Sequence, residues 1–537
     1  MTAREKTDRP LPGAETADGP GSGAPPRRFY VTAAIDYVNG DPHLGHVYEK
    51  VGCDVLARHR RLRGDEVRFT VGTDEHSQSV LRAAQDRGTT AEVFVAEQSE
   101  RFRKLYDSLD IAYTAFVRTS GEANRRSTEQ LMGAVHDAGF IYKGWYKAWL
   151  CPSCERYYTD KELIAGLCPI HERPVELVEE DNYFLRLSDF QDRLLDHFEK
   201  HPDFLVPEPR RNEILNVIRG GLEDVSVSRG FTDWGFPLPF DHTQVVYVWF
   251  DALIAYITGV GYTWDSEEFD RFWPADVHVI GKDITRFHSV MWPAMLMAAG
   301  IPLPERVHVH GFMTLGGQKM SKTRGIFVEP GALVAQFGSD AVRYVLMAEI
   351  PFDRDGDFSM EGFVDRYNAD LANDYGNLVS RTEKMVERYF DRRVPERGGE
   401  EPIDAELRAV AGGVVPEYDT AMDRLDFTGA LAAVRRLVGR ANKYVEEVAP
   451  WKLRQAGDAR LGTVCAELLE AVRLSTLLLH PFVPRATARV AADLGVELGG
   501  DLGPALAAWP GLHPGAPVGV GEILFPRLDR ERALGGG

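Results

Sequence analysis

Two short motifs lying far apart, His43-Leu44-Gly45-His46 and Lys319-Met320-Ser321-Lys322, constrain this chain more than any other feature. The first follows an apolar run, 29–35, that reads as a buried strand, and precedes a helical pattern over 47–62. Two imidazoles at the start of a helix, with Gly45 between them, meet a polyphosphate where backbone N–H groups and the helix dipole already favour anions. The second motif follows Gly316-Gly317, so its two lysines sit on a loop that can move. Lysine binds phosphate as a compact, mobile point charge. Together the motifs describe a site that grips ATP from two sides.

The apolar pattern supplies a fold for such a site. Residues 28–135 alternate strand-like runs (29–35, 67–71) with a helical stretch around 91–109, which predicts parallel βαβ units. A second strand-rich block begins at Val245-Val246-Tyr247-Val248-Trp249-Phe250 and continues through 277–280 and 307–309. From Tyr367 to about Leu494 the pattern is helical throughout, with a Pro/Gly break at 394–402. After Gly500 the chain is Gly/Pro-rich, but 523–527 reads as a short ordered segment docking back on the protein. The expected fold class is α/β: a doubly wound parallel, Rossmann-type sheet split by an insertion that carries a Cys/His cluster, then an α-helical bundle. The expected divisions are a disordered leader (1–27), a first catalytic half (28–136), the insertion (137–244) and a second catalytic half with the lysine loop (245–325). A linking segment (326–370), the bundle (371–510) and a tail (511–537) follow. His43 and Gly281 both follow strands, where ligands bind in such sheets.

The net charge of −19 argues against a surface that is basic all over, but a local basic track suffices for RNA, so composition neither supports nor excludes that partner. No apolar run is long enough to span a bilayer, and 1–27 lacks the apolar core of a secretory signal, so no membrane partner and a cytoplasmic location are expected. The five cysteines are Cys53, Cys151, Cys154, Cys168 and Cys465, an odd number that argues against a disulfide framework. Cys151-Pro152-Ser153-Cys154 and Cys168-Pro169-Ile170-His171 form two ligand pairs with two residues inside each. Tetrahedral zinc takes four such ligands, and a closed set marks a structural site. Unrelated surface cysteines are the bland alternative, which the pairing outweighs.

The paired histidine and lysine motifs are the signature of class I aminoacyl-tRNA synthetases, and the residues around them, from about Arg28 to Arg527, resemble the methionyl-tRNA synthetases. The resemblance implies one structural zinc on Cys151, Cys154, Cys168 and His171, as in that family's one-knuckle insertion. It implies attack of the methionine carboxylate on the α-phosphorus of ATP, with His43, His46, Lys319 and Lys322 as the catalytic residues. ATP, accompanied by Mg2+, would also meet Gly45, Gly281, Lys282, Asp283 and Ser321. Val71-Gly72-Thr73-Asp74-Glu75-His76 resembles the family's strand-end segment, in which Asp74 would pair with the substrate ammonium. The methionine pocket would be Ala34, Ile35, Tyr37, Asp74, Trp249, Ala252, Leu253, Tyr256, Ile284, Phe287 and His288, its aromatic lining suited to a flexible thioether. Asn377 and Arg381 share one helix face and, with Trp451 just after a proline, match the family's anticodon-reading positions. Capping, surface and core roles are the alternatives there. The partners implied are ATP, methionine and tRNA(Met). No further OB-type domain follows the bundle, so a monomer is expected.

Some positions depart from the family's pattern. Asp36 stands where Tyr or Pro is usual, Ala33-Ala34 where Thr-Pro is common, and Ser77 where Gly is usual. If Ile35 and Tyr37 face the pocket, period-two alternation turns Asp36 away from it. Such departures are those of a divergent copy, such as a second enzyme less sensitive to an inhibitor of the usual one. Rival readings are a synthetase for leucine, valine or cysteine, an adenylating enzyme that does not use tRNA, and a zinc-dependent RNA-binding protein without catalysis. A short insertion opposes the aliphatic synthetases, the bundle opposes the second rival, and the intact histidine and lysine motifs oppose the third.

Overall fold

The computed structural model describes residues 26–151, 157–158, 160, 162–169, 172–230, 232, 234–319 and 327–535. Strand β1 (Arg28–Ala33) is apolar on both faces because it runs through the middle of a parallel sheet, covered on each side. The other strands of that sheet are β2 (Asp36–Tyr37), β3 (Glu66–Asp74), β4 (Ala115–Arg118), β5 (Leu205–Val206), β6 (Val277–Gly281) and β7 (Val307–His310). The order runs β3-β1-β6-β7-β5, with β2 and β4 both paired to β3, and every pairing is parallel. Val31 is flanked by Phe69 on one side and Val277 on the other. The strand order reverses at β1, so a crevice opens between the carboxyl ends of β1 and β6.

Helix α1 (Leu44–Leu62) returns along the sheet after β1, and its buried positions outnumber those of an ordinary surface helix because the helical region packs on its far side. A second element differs from the sequence expectation. The run from Val245 pairs as a strand only at Val245–Val246, and α2 (Val248–Thr258) is a helix with every residue buried. An apolar run buried all round carries no period that separates strand from helix. Within the expected insertion, strand Ile141–Leu150 pairs antiparallel with Glu176–Leu185. Leu205–Val206, which lies in the same stretch, instead adds the edge strand β5 to the main sheet.

The helical region holds α3 (Asn377–Phe390), α4 (Pro402–Asp423), α5 (Phe427–Val448), α6 (Pro450–Ala456) and α7 (Arg460–Leu479). Every residue of α7 is buried, so it forms the centre around which the others pack. One apolar core runs from the sheet through α1 into these helices. Buried Arg343 ties the two parts: its guanidinium meets Asp54 of α1 at 2.6 Å and donates to the carbonyls of Leu109, Pro481 and Phe482. The segment expected to dock back does so. Phe525 packs edge-on against Tyr367, whose hydroxyl donates to the Pro526 carbonyl at 3.0 Å. Residues 1–25 of the expected leader lie outside the described residues. Among the described residues no helix is long and apolar enough to cross a membrane.

Candidate active site

The turn from β1 into α1 is built by its own side chains. His43 is the N-cap, and its Nδ1 accepts the Gly45 N–H at 3.1 Å. His46 Nδ1 accepts the His43 N–H at 3.1 Å, closing a capping box. A Cβ on Gly45 would lie 2.9 Å from the His43 ring, so only glycine permits this cap. Because a backbone N–H can only donate, each ring accepts at Nδ1 and carries its proton at Nε2. The rings stack 3.7 Å apart and both line one cavity, so two Nε2–H donors stand beside a helix N-terminus.

That cavity, of about 370 Å³, lies in the crevice between β1 and β6. Gly281 and Asp283 line it on the β6 side, together with Gly45 on the α1 side. Lys282 is not brought there: its ammonium lies 2.6 Å from Asp355 and over the Phe312 ring. The lysine motif begins on a short antiparallel pair in which Lys319 registers with Thr314, while Ser321 and Lys322 lie outside the described residues. Gly311, Phe312 and Met313, which lead into that pair, form the facing wall.

All eleven residues expected around the amino-acid side chain line the same cavity: Ala34, Ile35, Tyr37, Asp74, Trp249, Ala252, Leu253, Tyr256, Ile284, Phe287 and His288. Trp249 of α2 stacks face to face on Phe287 at 3.8 Å, and Tyr37 meets Trp249 edge-on at 5.6 Å. Phe287 sits at the start of a π-helical turn, Phe287–Met291, the kind of irregularity that recurs at functional sites. Burial pushes the His288 imidazole down to about 4, so it is neutral near pH 7. Its Nδ1 faces the Ile284 carbonyl and therefore bears the proton, leaving Nε2 to accept the Tyr256 hydroxyl at 2.7 Å. Asp74 ends β3 against the cavity. Glu75 is fully buried and takes a bidentate grip from Arg118 at 2.8 and 3.1 Å.

Several cavity residues escaped the sequence reading: Asn39, Tyr48, Glu49, His310, Gly311, Phe312 and Met313. Arg286 fell inside a recognised pocket segment without a role of its own, His310 lay beside another, and Glu49 falls one helical turn after His46, but no local pattern marks the last two. The departures have local explanations. Ser77 caps the next helix through the Val80 N–H. Asp36 turns from the aromatic wall toward Lys50 at 2.6 Å and the Tyr106 hydroxyl, though it still borders the cavity.

Of the expected metal ligands, Cys154 and His171 lie outside the described residues. Cys151 and Cys168 are both buried, in a small cluster with Tyr158 that Trp149, Leu163 and Val175 cover. The Cys168 turn is tied by its N–H to the Arg173 carbonyl and by its carbonyl to the Glu172 N–H. Two buried thiols at the end of one antiparallel hairpin suit a closed sulfur-rich site. Among the described residues no group of three or more His, Cys, Asp or Glu side chains is placed to hold a metal ion, at these cysteines or elsewhere.

In the helical region Asn377 opens α3, and Arg381, one turn on, lies 3.7 Å from Glu446 of α5. The helix α5 ends at a left-handed Ala449, and Pro450 starts α6 with Trp451 behind it. Trp451 is 44% exposed, which removes the core reading for that residue. Arg454 of α6 lies over the Tyr389 ring of α3, so the short helix packs beside the one bearing Asn377 and Arg381.

A doubly wound sheet with paired histidines at its switch point, in a chain that also carries the Lys319-Met320-Ser321-Lys322 motif, defines a class I aminoacyl-tRNA synthetase. The sequence matches the family model for class I tRNA synthetases (M) over residues 29–176 and 170–383. Residues 394–534 match the anticodon binding domain of methionyl tRNA ligase. The chain is 44% identical to the methionine–tRNA ligase of Caldanaerobacter subterraneus over 95% of its length and 80% of that protein's. It is 41% identical to the Streptomyces coelicolor methionine–tRNA ligase, covering 94% of this chain and 98% of that one. The structure of Mycobacterium tuberculosis methionyl-tRNA synthetase in complex with methionyl-adenylate superposes with a TM-score of 0.89 at 40% identity, covering 93% of this chain and all of that one. The chain belongs to the methionyl-tRNA ligase family.

Proposed function

We propose that this chain activates methionine with ATP to methionyl-adenylate and pyrophosphate, then transfers methionine to the 3′ end of tRNA(Met). The observation that carries this reading is one cavity with two histidine N–H donors at a helix N-terminus and an aromatic wall with a carboxylate beside them. A carboxylate is already the nucleophile at neutral pH, so the first step needs no general base. It needs two anions held in line and charge stabilised on the transferring group. His43 and His46 donate from Nε2 to that charge, and Lys319 and Lys322 bring the mobile cations. Mg2+ bound with ATP would be held chiefly by the phosphates and would supply neutralising charge there. Asp74 receives the substrate ammonium, and Trp249 and Phe287 flank the thioether. The test is pyrophosphate exchange into ATP, expected only with methionine present and far poorer with homocysteine or leucine. Equal rates with leucine overturn the substrate assignment. The compartment proposed is the cytoplasm, in keeping with the translation enzymes that the chain resembles.

The second step is read by the helical region. Exposed Trp451, with Asn377 and Arg381 on the adjacent helix, supplies the stacking plane and edge contacts that single-stranded anticodon bases take. Stacking of one base is worth about 1–3 kcal/mol, so Trp451→Ala should weaken tRNA charging roughly tenfold or more while exchange stays normal. Normal charging by that variant makes Trp451 a packing residue.

Cys151, Cys154, Cys168 and His171 would hold one structural zinc, which would keep the insertion in shape. Metal analysis of protein prepared without chelator should find one zinc per chain. Cys151→Ser should release it and loosen the insertion to proteolysis before exchange is touched, because a closed site leaves no position for substrate. A preparation with no zinc and a protease-resistant insertion counts against the site.

A further inference from the structure

The departure at Asp36 belongs to a buried chain of charged groups that the adenylation steps above leave unused. Lys50 of α1 is 1% exposed, and its ammonium has its three donors committed: to the Ala34 carbonyl at 2.7 Å, Asp36 Oδ1 at 2.6 Å and Glu49 Oε1 at 2.9 Å. Glu49 then receives His310 Nε2 on its second oxygen at 2.9 Å. His310 Nδ1 faces the Gly311 carbonyl at 2.7 Å. Both ring nitrogens of His310 thus face acceptors. Asp36, Glu49 and His310 all border the cavity, and His310 stands against Gly281 on its β6 side. Lys50 itself does not reach the cavity.

We propose that Asp36 and Lys50 are a positioning pair for the nucleotide half of the site: Lys50, anchored by Asp36, sets the Glu49 carboxylate, and Glu49 sets the His310 ring. This rests on the reading of the cavity as an ATP site. The physical case is one of supply and demand. A buried ammonium must fill every donor, and a buried carboxylate must be met by cations or donors. Removing Asp36 leaves Lys50 free to draw Glu49 toward itself, away from His310. Removing Lys50 leaves two carboxylates facing each other. Either change moves His310 without touching the aromatic wall. The groups facing Asp36 are Lys50, Glu49 and His46 of α1 and Tyr106 of the helix Ala91–Ser108. Burial pushes the Asp36 carboxyl up to about 6 even with Lys50 beside it, so its anchoring charge is lost on mild acidification.

The experiment compares the full-length wild type with Asp36→Asn and with the double variant Asp36→Leu, Lys50→Leu. ATP–Mg2+ binding is measured by calorimetry without amino acid, and exchange is followed from pH 5 to 8. Asp36→Asn should weaken ATP binding about tenfold, the scale of one misplaced charge-assisted contact, with methionine KM unchanged. The acid limb of the wild-type exchange profile, near pH 6, should flatten in that variant. The double variant removes both charges together, so it should fold, and it should bind ATP as poorly as Asp36→Asn. Native ATP affinity in the double variant, or equal rises in both KM values, overturns the proposal. A wild type without methionine-dependent exchange overturns the functional reading instead, and the ATP affinities still decide the role of the pair.

Discussion

Replacing His46 by alanine is expected to lower methionine-dependent exchange by roughly 10²–10³-fold with little change in methionine KM, the cost of losing one preorganised donor to transition-state charge. The ring cannot turn away to relax, because its Nδ1 is tied to the His43 N–H and its face is stacked on His43 at 3.7 Å. Its Nε2–H is therefore aimed before the substrate arrives, and no reorganisation is needed as charge develops. The same substitution opens the capping box, which should cost about 1 kcal/mol of stability. His46→Asn separates the two effects. Its side-chain oxygen can take the cap bond, so stability should recover while the rate does not. Turnover that survives His46→Ala would remove this residue from the chemistry.

Arg343→Met should destabilise the protein by about 3–5 kcal/mol, the scale for removing one partner of a fully buried ion pair. Arg343 and Asp54 are both inaccessible, and the guanidinium also serves carbonyls from both sides of the boundary between sheet and helical region. Exchange and tRNA charging should fail together on warming, since the change loosens the join rather than either site. The pH dependence has a definite sign. Burial raises the Asp54 carboxyl, but Arg343 and Arg58 outweigh it and hold it below its ordinary value of 3.8. A carboxyl depressed in this way contributes stability above its unfolded value, lost as pH falls through the lower folded one. The Arg343 variant should thus gain little from neutral pH, and the wild type should keep its margin until strongly acidic solution. Removing both charges, as Asp54→Leu with Arg343→Met, should cost much less than either alone. A denaturant midpoint for Arg343→Met within 1 kcal/mol of wild type, on the same order-of-magnitude scale, would refute the linkage.

Structure whose cause is local was legible in the sequence. The cap at His43 closes within four residues, and its glycine is demanded by the ring of the residue two before it, so the motif is its own evidence. Apolar runs at 29–35, 67–71, 277–280 and 307–309 stood out and form strands, and the second half read as helical throughout. The docking of Phe525 was visible as an apolar patch in a Gly/Pro-rich tail. Each of these follows from near-neighbour periodicity or from a cap, which the chain writes within a few positions.

Only the tertiary structure decided the rest. Whether the run at Val248 was strand or helix depended on what enclosed it, because a segment buried on every side has no polar face to set its period. Leu205–Val206 joined the main sheet across 102 positions of sequence, in register with Val307–His308. Lys282, beside Gly281, turned away because Asp355 offered a carboxylate at 2.6 Å. Glu49 and His310 met across 261 positions, and Asp36 found Lys50 at 2.6 Å though it lies fourteen residues along the chain. Burial makes a charged group depend on partners, and the partners are chosen by how the sheet is wound, not by what lies next along the chain. The sequence alone thus specified the turn, the periods and the kinship of the motifs, while the packing of β1, α1 and β7 decided which charges face one another around the site.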